Sequence, residues 1–317
     1  MRVPVVLASL RRTLALLLFS VLVVPASSAK SAVMEAYGDE TSQQVILLSG
    51  EIVAGDAGRL TILLENAIQA KRPLPNVSLN SGGGLFLEGI RLAEIVRRHG
   101  LNVYVEEGAR CASACFLVFA AGKEKIASYS GRIGVHSARD AEGDAARASA
   151  ATSVMGGLLR TLGVPPTIIS KMATTPYERI AWLSTPELQS MQVKPLSFSD
   201  PSPLERVLQA VVERGPPGGL PEPEKAWLWD RLVRAASRLS ARQSSGRAQI
   251  VNTCPPEARS CSNSVSYATQ DGQIVTLRTT RERTGRVLAR EVCGDQAANA
   301  QQCRPWAPSS VDARHSR

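Results

Sequence analysis

Aromatic side chains are scarce in this chain, with four Trp, five Tyr and five Phe among 317 residues, which leaves few of the stacking platforms that hold single-stranded nucleic acid. Histidine is scarcer still: His99, His136 and His315 are the only three. So few imidazoles narrow the search for a general base to three positions. Beyond residue 29 no apolar stretch approaches the roughly 20 residues that span a bilayer. Acidic charge is also in deficit, since 28 Asp and Glu face 37 Lys and Arg for a net charge of +9. Three of the arginines, Arg2, Arg11 and Arg12, fall within the first 29 residues and leave +6 for the remainder, a modest excess for a polyanion binder. No nucleic-acid partner is expected.

What the chain does have at its start is the pattern of a leader. Those arginines precede the apolar run from Leu14 to Val24, and Pro25 with Ala26-Ser27-Ser28-Ala29 supplies a small-residue cleavage site. The expectation is a signal peptide over residues 1–29, cleaved after Ala29, and a mature chain that is periplasmic or secreted with no stable membrane span. Its six cysteines, Cys111, Cys115, Cys254, Cys261, Cys293 and Cys303, would then meet an oxidising compartment.

Charge divides the remainder. Residues 30–200 carry 17 basic and 17 acidic side chains, whereas residues 201–317 carry 17 and 11. The neutral part alternates strand-like and helix-like segments: a strand at 45–52, a helix from about 55 to 70 with Leu60, Leu63, Leu64 and Ala67 on one face, a strand at 76–80, the turn Ser81-Gly82-Gly83-Gly84, and a helix at 85–99 with Leu85, Gly89, Leu92 and Val96 on one side. A strand at 101–105, a buried helix from Ala112 to Ala121, and strands at 125–127 and 132–136 follow. This βαβ alternation implies an α/β unit with a mostly parallel sheet over residues 30–199. Residues 200–250 read as a Pro/Gly-rich linker with helices, residues 251–306 as a small β domain held by two disulfides, and residues 307–317 as a disordered tail. Four cysteines permit three pairings; Cys254 with Cys261 and Cys293 with Cys303 is the favoured one, and zinc is the rival.

One hydroxyl interrupts the apolar run Gly108-Ala109-Arg110-Cys111-Ala112-Ser113-Ala114-Cys115-Phe116-Leu117-Val118-Phe119-Ala120-Ala121-Gly122. Ser113 at the mouth of a buried helix would meet unpaired N–H groups and the positive end of the helix dipole, which favour a developing negative charge. Serine chemistry also needs a base. His315 lies in the polar tail and His99 at a helix end, so His136, ending a strand in the neutral unit, is the candidate. A small core serine and a satisfied buried histidine are the plain alternatives. Cys111 and Cys115 flank Ser113 either as apolar core residues or as a disulfide bracing the turn.

The order strand, glycine turn, helix, strand, Ser, helix, strand, His resembles the Clp protease proteolytic subunit within the ClpP/crotonase superfamily, and more closely the exported ClpP-like serine proteases of bacteria, over roughly residues 43–195. Asn80-Ser81-Gly82-Gly83-Gly84 resembles that family's Asn-Ser-Pro-Gly-Gly, Ala112-Ser113-Ala114 its nucleophile turn, and Gly134-Val135-His136-Ser137 its histidine strand end. The resemblance implies a ClpP/crotonase-like β-α-β spiral core, Ser113 and His136 as catalytic residues, and an oxyanion hole from the Gly84 and Ala114 amides. It departs at the third triad member, where Ile180 stands in place of an aspartate shortly before Trp182-Leu183-Ser184-Thr185-Pro186-Glu187. Glu178, the nearest acid, is the candidate catalytic residue to orient His136 through Nδ1; otherwise the site runs as a dyad, and an imidazole without carboxylate support loses on the order of 10⁴ in turnover.

The function expected is an exported serine hydrolase of peptidase type, acting on a peptide or protein with no metal or cofactor. A catalytically weak or inactive ClpP-fold scaffold is the alternative, and acyl-CoA chemistry of the crotonase kind stands behind it. Oligomeric state stays open: the family assembles homo-oligomeric rings, and the segment Arg139-Asp140-Ala141-Glu142-Gly143-Asp144 and the extra domain could block stacking.

Overall fold

Strand β2 (Val45–Ser49) is apolar at four consecutive positions because it is buried on both faces. Side chains alternate across a strand, so Ile46 and Leu48 enter one core while Val45 and Leu47 enter another. The computed structural model describes residues 32–37, 45–72, 74–140, 142–196, 202–203, 208–216, 222–244, 249–269, 271–294 and 302–306, and the expected leader and tail lie outside them.

Around β2 runs a six-stranded sheet. Strand β1 (Val33–Tyr37) pairs with it antiparallel, and β3 (Asn76–Asn80), β4 (Asn102–Val105), β6 (Lys125–Ala127) and β9 (Lys194–Pro195) continue it in parallel. Helices α1 (Asp56–Gln69), α2 (Phe86–Arg98) and α3 (Ala114–Ala120) pack into the first core, which makes this part a mixed α/β unit. A carboxylate ties the first two helices together: Glu88 Oε1 accepts the Ala57 amide at 2.8 Å, satisfying a first-turn N–H of α1 from the first turn of α2.

A small second sheet carries the candidate site. Strand β5 (Arg110–Ala112) lies parallel to β7 (Arg132–Val135), and β7 pairs antiparallel with β8 (Ala181–Trp182). Helices α4 (Ala145–Thr161), α5 (Pro166–Thr174) and α6 (Thr185–Ser190) complete this side. Ser184 and Glu187 form a capping box on α6, and Glu187 also pairs with Lys171 of α5.

The other face of β2 is covered from the C-terminal half. Helices α7 (Leu208–Arg214) and α8 (Glu222–Gln243) and a five-stranded antiparallel meander bury Leu228, Trp229, Leu232 and Trp306 against Tyr37, Val45 and Leu47. The meander runs β10 (Gln249–Thr253), β11 (Ser260–Ala268), β12 (Ile274–Glu282), β13 (Val287–Gly294), β14 (Gln302–Pro305). Buried Arg231 of α8 pairs with buried Glu106 and donates to the Glu107 carbonyl, while Ser78 donates to the other Glu106 oxygen at 3.0 Å. Disulfides join Cys254 to Cys261 and Cys293 to Cys303. No helix among the described residues is long and apolar enough to cross a membrane.

Local details depart from the sequence reading for backbone reasons. The strand at 45–52 ends at Ser49, because Gly50 turns the chain at φ 101°. Leu85 is 52% exposed, since it caps α2 in an extended conformation and does not share the helix's buried stripe. A further strand, β5, separates β4 from the Ser113 helix and pairs with β7, too short for hydrophobic periodicity to reveal.

Two outcomes follow for stability. Arg231→Met strands the Glu106 carboxylate in the interior and costs about 3–5 kcal/mol in urea unfolding, whereas the double change with Glu106→Gln recovers part of that loss. The Lys171 ammonium, with help from the Ser184 amide, holds the Glu187 carboxyl down at about 2 from an ordinary 4.5, so its contribution is complete above pH 4.5 and fades as pH falls toward 2. Thermal melts across that interval lose this dependence in Glu187→Gln.

Candidate active site

Ser113 is the residue between β5 and α3, and its backbone sits at φ 57°, ψ −127°. For a side chain other than glycine this region costs on the order of 1–3 kcal/mol and persists only where the surroundings impose it. The surroundings here are strong on both sides. Upstream, the Ala112 amide donates to the Ser81 carbonyl at 3.1 Å; downstream, every residue of α3 is buried and the Phe116 amide donates to the Ser113 carbonyl at 2.8 Å. A disulfide from Cys111 to Cys115, both fully buried, spans the turn with its Cα atoms 5.2 Å apart. The hydroxyl is therefore presented from a sharp strand-to-helix turn, half-buried at the end of a helix with no solvated face.

The glycine turn is pressed against this serine. A Cβ on Gly83, which has φ +107°, would lie 2.5 Å from Ser113 Cβ and 3.0 Å from Ser113 Oγ, so only glycine fits. The Gly83 amide is taken by Ser81 Oγ at 3.1 Å, and the turn is bound to the β2 edge through Ile52 N donating to the Gly83 carbonyl and Leu85 N donating to the Ile52 carbonyl, each at 2.8 Å. Among the described residues neither the Gly84 amide nor the Ala114 amide at the first position of α3 has a hydrogen-bond partner.

His136 follows the last residue of β7. Because Ala112 pairs with Gly134 in parallel register, Ser113 and His136 leave the same ends of neighbouring strands. The histidine is half-buried, and its Nδ1 lies 2.7 Å from the Ser137 carbonyl oxygen. A carbonyl only accepts, so Nδ1 carries a proton, and the neutral ring so held is the tautomer whose lone pair lies on Nε2. The peptide making that contact is itself anchored by Ala138 N donating to Thr152 Oγ1 at 3.0 Å, and the preceding peptide by Ser137 N donating to the Thr175 carbonyl at 2.8 Å. No hydrogen bond joins Ser113 Oγ to His136 among the described residues.

The two positions considered for a third member differ. Antiparallel pairing of Val135 with Ala181 carries the register on to His136 and Ile180, and Ile180 packs at Gly134, where a Cβ would lie 2.4 Å from its Cγ2. Glu178 is exposed on the turn before β8 and makes no hydrogen bond or ion pair among the described residues. The group that holds Nδ1 is a main-chain carbonyl, which no residue identity announces in a sequence.

No family model matches the chain, and no curated protein does. Among solved structures it is similar to ClpP1 from Listeria monocytogenes and to a point mutant of that protein, with 21% identity and TM-scores of 0.39 and 0.40, over 48% of this chain and 91% of each of theirs.

The glycine turn borders a cleft of about 600 Å³, whose lining includes Glu51, Asn80, Gly82, Gly84, Arg110 and Trp227, and Ser113 adjoins it through Gly83 without lining it. Trp227 comes from α8, far along the chain, and composition offers no hint of its arrival here. Gly83→Ala should lower the melting temperature, by about 1–3 kcal/mol of stability, and abolish reactivity of Ser113 toward a fluorophosphonate. Gly82→Ala, where the nearest atom to a new Cβ is on the Arg110 side chain at 3.7 Å, leaves both unchanged.

Proposed function

We propose that this chain is an exported serine hydrolase of peptidase type with a ClpP/crotonase-like core. The observation that carries the reading is the backbone of Ser113, a strained turn into a fully buried helix with Gly83 against its side chain. Ser113 Oγ attacks the substrate carbonyl and gives its proton to His136 Nε2, while negative charge on the carbonyl oxygen is met by the Gly84 and Ala114 amides. Collapse of the tetrahedral species breaks the C–N bond, and the leaving amine takes the proton from His136. Water then repeats the cycle on the acyl-enzyme and regenerates the serine.

The enzyme works as a dyad in this reading. The Ser137 carbonyl fixes the His136 tautomer but carries no full charge to stabilise the imidazolium, and Ile180 offers none, so turnover falls well below that of a carboxylate-supported site. Glu178 takes no part. Export is supported by three disulfides, which persist in oxidising compartments, and by the leader-like pattern of residues 1–29.

A scaffold that keeps the fold without turnover is the second reading, favoured by Ile180 at the position in register with His136. A fluorophosphonate probe separates the two. Labelling of the wild type, its loss in Ser113→Ala and a fall of about 10²-fold or more in rate for His136→Ala support the hydrolase. Equal labelling of wild type and Ser113→Ala removes it.

A further inference from the structure

We infer that the C-terminal half supplies a specificity wall for the cleft, and that the cleft takes a polypeptide segment presenting an apolar side chain to Trp227 and a carboxylate to Arg110. This rests on the reading of Ser113 as a peptidase nucleophile. The wall is built in. Trp227 reaches the glycine turn from α8, and the Arg231 guanidinium stands 5.4 Å from its ring. Arg231 is in turn locked by Glu106 and the Glu107 carbonyl, so the cation that the indole faces is fixed in place. The indole Nε1 is shielded from solvent with no hydrogen-bond partner among the described residues.

The lining also carries charge. Arg110 has its main chain fixed by Asn80 Oδ1, which accepts its amide at 3.1 Å, and by Ser81 N, which donates to its carbonyl at 2.8 Å. Its guanidinium lies beside Gly82 and pairs with no acid among the described residues, unlike Arg231, Arg234 and Arg238, which all find Glu106 or Glu107. A planar cation so placed recognises a carboxylate by two parallel hydrogen bonds. Glu51 lines the same cleft and repels an acidic group set in any other position.

Calorimetric titration of the inactive Ser113→Ala protein reads binding without turnover. The probes are the capped peptides acetyl-Ala-Ala-Leu-Asp-Ala-Ala-amide and acetyl-Ala-Ala-Asp-Leu-Ala-Ala-amide, each with counterparts in which alanine replaces the leucine or asparagine the aspartate. Adding Trp227→Ala is expected to weaken the tighter leucine peptide about tenfold and its alanine counterpart little, while Trp227→Phe stays within about twofold and guards against loss of the α8 packing. Arg110→Gln is expected to erase the preference for aspartate over asparagine, and Glu51→Gln to strengthen it. The inference is overturned if no peptide binds, or if Trp227→Ala and Arg110→Gln bind every peptide as the parent does. In that event fluorophosphonate labelling of the wild type still tests the serine reading by itself. Conversely, peptide binding that depends on these side chains in a protein whose Ser113 does not label sinks the hydrolase and leaves a peptide-binding cleft.

Discussion

Everything in this molecule is anchored on a strand that has no solvated side. Because β2 sends Ile46 and Leu48 one way and Val45 and Leu47 the other, it is shared by two cores. Burial of four such side chains contributes about 1.5–3 kcal/mol each, an upper estimate because unfolded chains are partly collapsed. The consequence is architectural. The C-terminal helices and meander are packed onto the main sheet, which carries Trp227 to the rim of the cleft.

The nucleophile turn is the local counterpart of that constraint. A serine at φ 57° is unfavourable on its own, and the cost is offset by what flanks it: a parallel pairing of β5 with β7, seven buried residues of α3, and the Cys111–Cys115 disulfide. Gly83 completes the enclosure by allowing the neighbouring turn to approach without a Cβ. Rigidity of this kind is what a site that stabilises charge requires, since donors already in place need no reorganisation when charge appears.

His136 presents a different economy. The usual way to orient a catalytic imidazole is a carboxylate, which fixes the tautomer and also stabilises the cation. Here a carbonyl from the next residue does the first and not the second, and the position in register with His136 is held by Ile180, packed at Gly134. The contact at Nδ1 thereby fixes the ring without placing a charge beside it.

Sequence alone carried the alternation of β2, α1, β3 and α2, because hydrophobic period and glycine or proline punctuation are properties of neighbouring residues. It also singled out Ser113, whose isolation in an apolar run needs no coordinates to be noticed, and the glycine turn and His136 by order along the chain. Short β5 escaped it, since three residues are too few for a period, and so did the exposure of Leu85. What the tertiary structure alone decided were contacts between distant segments: a carbonyl at Ser137 holding Nδ1, Glu178 left exposed, and Trp227 beside the glycine turn. Those depend on strand register and on which helix covers which sheet face, and such pairings arise only when two remote segments are buried against each other.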